Sequence, residues 1–141
     1  YTKRLVNEFQ DKNFNCVDLS LNVLNTFDLN ITKKEGSILN IPYKNDSFDF
    51  VFVCEALEHA IDIKNAIVEI IRVLRKNGKA IIIDKDVRKL GQLQLAPFEQ
   101  WFSVKSFDDF AKKNDCKCRV VENISYEDRA DGLFNAWVIE K

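Results

Sequence analysis

Residues 48–84 read FDFVFVCEALEHAIDIKNAIVEIIRVLRKNGKAIIID, and their pattern decides the fold. Phe48 to Cys54 is an almost continuous apolar run broken by Asp49, as expected of a strand covered on both faces in a parallel sheet. Asp62 is a good N-cap, and Ile63, Ala66, Ile67, Ile70, Ile71 and Leu74 follow at the spacing that lines one face of a helix. Arg75 and Lys76 fall in the expected last turn, with Asn77-Gly78 closing it. Lys79 to Asp84, centred on Ala80-Ile81-Ile82-Ile83, reads as the next buried strand. Strand, helix and strand of this length make a right-handed crossover unit in a parallel sheet.

Toward the N-terminus, Leu5, Val6 and Phe9 sit at helical spacing within Thr2 to Gln10, and Phe14 to Val17 reads as a short strand ending at Asp18. Ser20 can cap a second helix carrying Leu21, Leu24 and Phe27 on one face. Asn30 to Gly36 is expected as a loop, followed by a brief extended piece at Ser37-Ile38-Leu39 and a turn region from Pro42 to Ser47. Toward the C-terminus, residues 87–102 are irregular and rich in leucine and aromatics, and Ser106-Phe107-Asp108-Asp109 resembles a capping box opening a helix to about Asn114. Cys118 to Ile124 and Leu133 to Ile139 are expected to pair antiparallel at the sheet edge. The fold class is therefore α/β, a doubly wound, mainly parallel sheet with an antiparallel C-terminal edge, in a single domain spanning residues 1–141.

Composition narrows the function. With 21 basic and 22 acidic residues, a formal charge of -1 and no basic stripe, the chain is not expected to bind nucleic acid. The four cysteines, Cys16, Cys54, Cys116 and Cys118, contain no CxxC pair and there is one histidine, so no metal site is expected and the thiols suit a reducing, cytoplasmic setting. The sequence has neither an apolar run of membrane-spanning length nor a signal-like N-terminus, so no membrane partner is expected. The absence of any methionine implies that Tyr1 is not a translation start.

In an open α/β sheet, ligands bind outside the carboxyl ends of the strands, at Asp18, Ser37 to Leu39, Cys54-Glu55 and Asp84. A carboxylate at Asp18 can accept from both hydroxyls of a ribose, or it can cap the helix that starts near Ser20. His59, beside Glu58, could serve as a general base near neutral pH or could simply close the loop after its strand.

Four fragments carry a resemblance: Gly36-Ser37-Ile38-Leu39-Asn40-Ile41-Pro42-Tyr43, Asn45-Asp46-Ser47-Phe48-Asp49, Glu55-Ala56-Leu57-Glu58-His59, and Arg72-Val73-Leu74-Arg75-Lys76-Asn77-Gly78. In that order and spacing the chain resembles class I, Rossmann-like S-adenosylmethionine-dependent methyltransferases of the group with a methyltransferase type 11-like domain. The resemblance implies S-adenosylmethionine as cofactor and methyl transfer to a small-molecule or saccharide-type acceptor. By this resemblance Asp18 holds the ribose, Leu19 packs near the adenine, and Ser37 and Ile38 occupy adenine-contact positions. The family commonly has aspartate where Ser37 stands. Cys54 and Glu55 fall where the methionine portion is faced, and Asp84, a catalytic candidate with His59, stands where acceptors bind beside Lys85 and Asp86, where charged groups could orient or deprotonate a nucleophile or could merely be solvated. Residues 87–105, with Phe98, Trp101 and Phe102, match a variable segment that covers the acceptor. The resemblance also implies an N-terminally truncated fold, with the family's first strand and glycine-rich loop expected before Tyr1. An alternative of another class is a methyltransferase-fold domain that binds or assembles without catalysis.

Overall fold

The computed structural model describes residues 1–89, 99–101, 103–126 and 129–141. These form two compact units, Tyr1–Pro42 and Tyr43–Lys141.

In the first unit, helix α1 (Thr2–Glu8) leads to strand β1 (Asn15–Asp18), helix α2 (Leu21–Asn25) and strand β2 (Thr32–Glu35). The Ser20 side chain accepts from Val23 N, so the expected cap forms, and Leu24 is the fully buried residue of α2. β1 and β2 pair in parallel from Asn15↔Thr32 to Asp18↔Glu35. The strand thus falls inside the expected loop, and Ser37 to Asn40 forms a turn closed by a bridge between its ends. Thr32-Lys33-Lys34-Glu35 lacks the apolar alternation that marks a strand. Its pairing comes from the backbone groups that β1 offers, and those lie outside any local pattern.

In the second unit, strand β3 (Phe48–Cys54), a 3-10 turn (Leu57–His59), helix α3 (Ile63–Val73) and strand β4 (Leu74–Lys85) form the crossover, with β3 and β4 parallel. Helix α4 (Val104–Lys113) and strands β5 (Lys117–Tyr126) and β6 (Arg129–Glu140) follow. The sheet order is β3-β4-β6-β5, and β6 runs antiparallel to both neighbours, as the expected C-terminal edge requires. Asp62 caps α3 by accepting from Asn65 N, and Ala66, Ile67, Ile70 and Ile71 bury the stripe. Each of the isoleucines contributes roughly 1.5–3 kcal/mol on full burial. Trp137, fully buried on β6, stacks on Phe107 of α4 with ring centroids 5.1 Å apart.

Two boundaries differ from expectation. α3 ends at Val73, so Arg75 and Lys76 lie in β4. The carbonyls of Arg72 and Val73 accept from Asp46 N and Ser47 N, and the chain turns extended at Leu74. Residues 75–78 then form an irregularity in the ladder, whose register jumps between Phe48↔Leu74 and Phe50↔Lys79. The cap of α4 is Ser103, which accepts from Ser106 N at 3.1 Å, so the helix starts before the expected Ser106. Serines three apart both suit the position, and the earlier one satisfies the later one's N–H. The Arg72 guanidinium donates to Tyr43 O, to Asn45 and to both Glu69 oxygens, and Arg75 donates to Asp49, which ties the end of α3 and the start of β4 to the segment before β3.

Candidate nucleotide and acceptor sites at the strand ends

Each unit presents its chemistry at carboxyl ends of parallel strands. In the first unit, Asp18 ends β1 half-buried, its Oδ1 accepting from Ser20 N at 2.9 Å. The Asx-type cap therefore exists. A carboxylate has lone pairs enough to cap and also bind hydroxyls, so this bond does not exhaust Asp18. Leu19 is exposed beside it. After β2, Gly36 N donates to Asp18 O, and a Cβ at Gly36 would lie 2.7 Å from Pro42 Cδ, so the turn closes only on a glycine. The turn itself is held by Ser37, whose Oγ accepts from Leu39 N at 3.1 Å, with half-buried Ile38 between them. Ser37 thereby keeps its hydroxyl proton for donation while its oxygen serves the turn.

In the second unit the site is denser than the sequence suggested. Cys54 ends β3, and burial, with the Glu55 and Asp84 carboxylates adding to it, pushes its thiol up to about 11. It is a thiol at neutral pH, which removes it as a nucleophile. Glu55 follows with φ 47°, and its N–H still donates to Ile83 O at 2.9 Å. The other described non-glycine residues with positive φ are Asp or Asn, which tolerate that region; Glu55 does not.

Asp84, at the end of β4, is fully buried. Its Oδ2 accepts from Glu58 N at 3.1 Å and its Oδ1 from Lys85 N at 2.9 Å, which ties the loop after β3 to β4. Burial, reinforced by the Glu58 carboxylate, pushes Asp84 up to about 8. Glu58 is equally buried and takes the Lys85 ammonium on both oxygens at 2.5 and 2.7 Å. Lys85 also lies 3.6 Å from Glu55 and within 6.0 Å of the Trp101 and 5.8 Å of the Phe134 ring centroids, close enough for cation–π attraction. His59, with its side chain 49% exposed, reaches Glu58 Oε1 at 3.4 Å. Gln100 N donates to Glu58 O and its side-chain amide to Ala60 O, both at 2.8 Å, which sets Glu99 and Trp101 beside the turn.

The structure thus brings His59, Asp84 and Glu55 into one cluster. Glu58 and Lys85, which organise it, were seen in sequence only as neighbours of His59 and Asp84. Their pairing spans 27 residues and leaves no local pattern. Most of the expected cover segment, residues 90–98 and 102 with Phe98 and Phe102, lies outside the described residues.

Acidic and hydroxyl groups at the carboxyl ends of parallel strands, on an α/β frame with helical crossovers, define a Rossmann-like ligand-binding protein. The Methyltransferase domain family matches residues 1–82, more than half of the chain. The chain belongs to that family, the class I S-adenosylmethionine-dependent methyltransferases. An uncharacterized protein of Methanocaldococcus jannaschii is 40% identical over 74 residues, covering 51% of this chain and 32% of that one. The 2-phytyl-1,4-naphtoquinone methyltransferase of Nostoc sp. is 32% identical over 95 residues, covering 61% of this chain and 41% of that one. The chain therefore spans well under half the length of these relatives. The crystal structure of a SAM-dependent methyltransferase from Archaeoglobus fulgidus superposes with a TM-score of 0.81 over 99% of this chain and 80% of that one, at 8% identity, so the fold is shared.

Proposed function

We propose that the protein transfers a methyl group from S-adenosylmethionine to a small-molecule acceptor, with a saccharide-type acceptor included in that class. The observation that carries the reading is Asp18, a half-buried carboxylate ending β1 within the stretch that matches the family. The Nostoc relative is named for a naphtoquinone substrate, which supports a small molecule over a polymer. The near-neutral charge of the chain points the same way, away from nucleic acid.

The residues present fit the cofactor. Asp18 would accept from the ribose hydroxyls, Leu19 would pack on the adenine, and Ser37 and Ile38 would line its edge. Cys54 and Glu55 would face the methionine portion. When bound, the cofactor supplies an electrophilic methyl, and the protein's task is alignment. His59, exposed and beside a carboxylate, is the group that could take a proton from an acceptor. Asp84 acts from beneath, holding the His59-bearing turn through Glu58 N.

Calorimetry of the full-length protein with S-adenosylmethionine and S-adenosylhomocysteine tests the reading. Both should bind, and Asp18→Ala should weaken binding by on the order of 1.5–3 kcal/mol, the range for hydrogen bonds to a charged group. Unchanged affinity in Asp18→Ala would remove the ribose role. No binding of either compound would favour a domain of this fold that binds or assembles without catalysis.

A further inference from the structure

We propose that Glu58, His59 and Glu99 form a binding site for a borderline divalent cation such as Zn2+, Mn2+ or Co2+. One ligating atom from each of the three side chains lies within 4.8 Å of the other two. This is the spread from which small side-chain movements give the ~2.0–2.2 Å ligand bonds of such an ion. An imidazole with two carboxylates suits these metals better than Mg2+ or Ca2+, which take oxygen alone.

Three further features support the site. The first is preorganisation. Glu58 and His59 sit on one 3-10 turn, and the two hydrogen bonds of Gln100 to that turn hold the neighbouring Glu99 against it. The second is charge. The Glu55 and Glu58 carboxylates lie 3.6 and 2.5 Å from the Lys85 ammonium and Glu99 joins Glu58 in the cluster, so three carboxylates stand against one ammonium, a surplus that a divalent ion neutralises. The third is access combined with a buried anchor. His59 is half exposed while Glu58 is 1% exposed, so an ion can enter from solvent and still have a ligand fixed by the fold.

Lys85 does not block the site. It grips both Glu58 oxygens, but Oε1, the oxygen facing His59, can pass to the metal while Oε2 stays with the ammonium. The expectation of no metal came from cysteine spacing and the lone histidine; Glu99 lies 40 residues from His59 and escapes any spacing rule. The proposal does not rest on cofactor binding, and in the metal-bound form His59 serves as a ligand instead of taking a proton from an acceptor.

The test uses the full-length protein stripped with a chelator, titrated with Zn2+ by calorimetry and with Co2+ by visible absorption. The expected results are one saturable site, Co2+ d–d bands without a thiolate charge-transfer band, and a loss of Zn2+ affinity of at least about 10-fold in both His59→Ala and Glu99→Gln. Both variants alter solvent-accessible side chains, and a wild-type far-UV circular dichroism spectrum checks their fold. Glu58→Gln is not used because it also disturbs Lys85. Absence of saturable binding, affinity unchanged in both variants, or a thiolate band placing the ion on cysteines each overturns the proposal. S-adenosylhomocysteine calorimetry on the same preparations keeps this failure separate from failure of the methyltransferase reading.

Discussion

Lys85→Met is the sharpest perturbation of the cluster. It keeps the length and apolar stem of the side chain while removing the ammonium that sits 2.5 and 2.7 Å from the Glu58 oxygens. The two side chains are 9% and 1% exposed, so water cannot take the place of the lost partner. Breaking a buried pair from one side costs about 3–5 kcal/mol, because an uncompensated charge stays in the interior. Measured against a total stability of about 5–15 kcal/mol for a protein domain, this is a large fraction. An exposed pair would cost under about 1 kcal/mol, so the two cases separate cleanly. Urea unfolding followed by circular dichroism at neutral pH should show the full loss in Lys85→Met. The double variant Lys85→Met, Glu58→Gln should recover at least about 1 kcal/mol of it, since a neutral amide is cheaper to bury than a lone carboxylate. A loss below about 1 kcal/mol in Lys85→Met, or no recovery in the double variant, would refute the buried pair as the organiser of the site.

Two further outcomes follow from the same geometry. Asp84 is raised to about 8 in the folded protein. Its contribution to stability is therefore fully present below about pH 4, where the unfolded residue is still protonated, and is lost as pH rises toward the folded value. The slope approaches about 1.4 kcal/mol per pH unit between those limits. Asp84→Asn should accordingly lose less stability than the parent protein between about pH 5 and 7, and parallel urea-unfolding curves would exclude that origin. Gly78→Ala would place a Cβ 2.8 Å from Arg75 O and 3.2 Å from Asp49 O, backbone atoms that cannot swing aside. A loss of about 1–3 kcal/mol is expected, and an unshifted thermal midpoint would contradict the close packing of that irregularity.

What could be read from the sequence was what local rules encode. α3 is legible because a cap at Asp62 and a 3.6-residue apolar stripe are properties of consecutive residues, and the same holds for the apolar run of β3. β2 was missed because Lys33, Lys34 and Glu35 gain a strand conformation only from β1. The end of α3 was misplaced because Arg72 O and Val73 O find their donors at Asp46 and Ser47, some 26 residues upstream. The candidate site divides in the same way. Position at a strand end pointed to Asp18, Cys54 and Asp84, whereas Glu58 with Lys85, and Glu99 with His59, meet only through the fold.

Glu55 shows what the geometry adds beyond either. At φ 47° an L-residue other than Asn or Asp carries a conformational cost of roughly 1–2 kcal/mol, which glycine at this position would avoid. The turn does not need the Glu55 side chain to form, since its backbone N–H makes the bond to Ile83 O whatever the residue. The carboxylate faces Lys85 at 3.6 Å. With Glu58 already occupying the ammonium at shorter range, Glu55 adds little to neutralising Lys85. It leaves a partly exposed carboxylate with a strained backbone at the end of β3. Backbone strain at the carboxyl end of a strand in an α/β sheet is a reason to test Glu55 for a role in binding. It places Glu55, together with Asp18, among the residues whose replacement most directly tests what this protein binds.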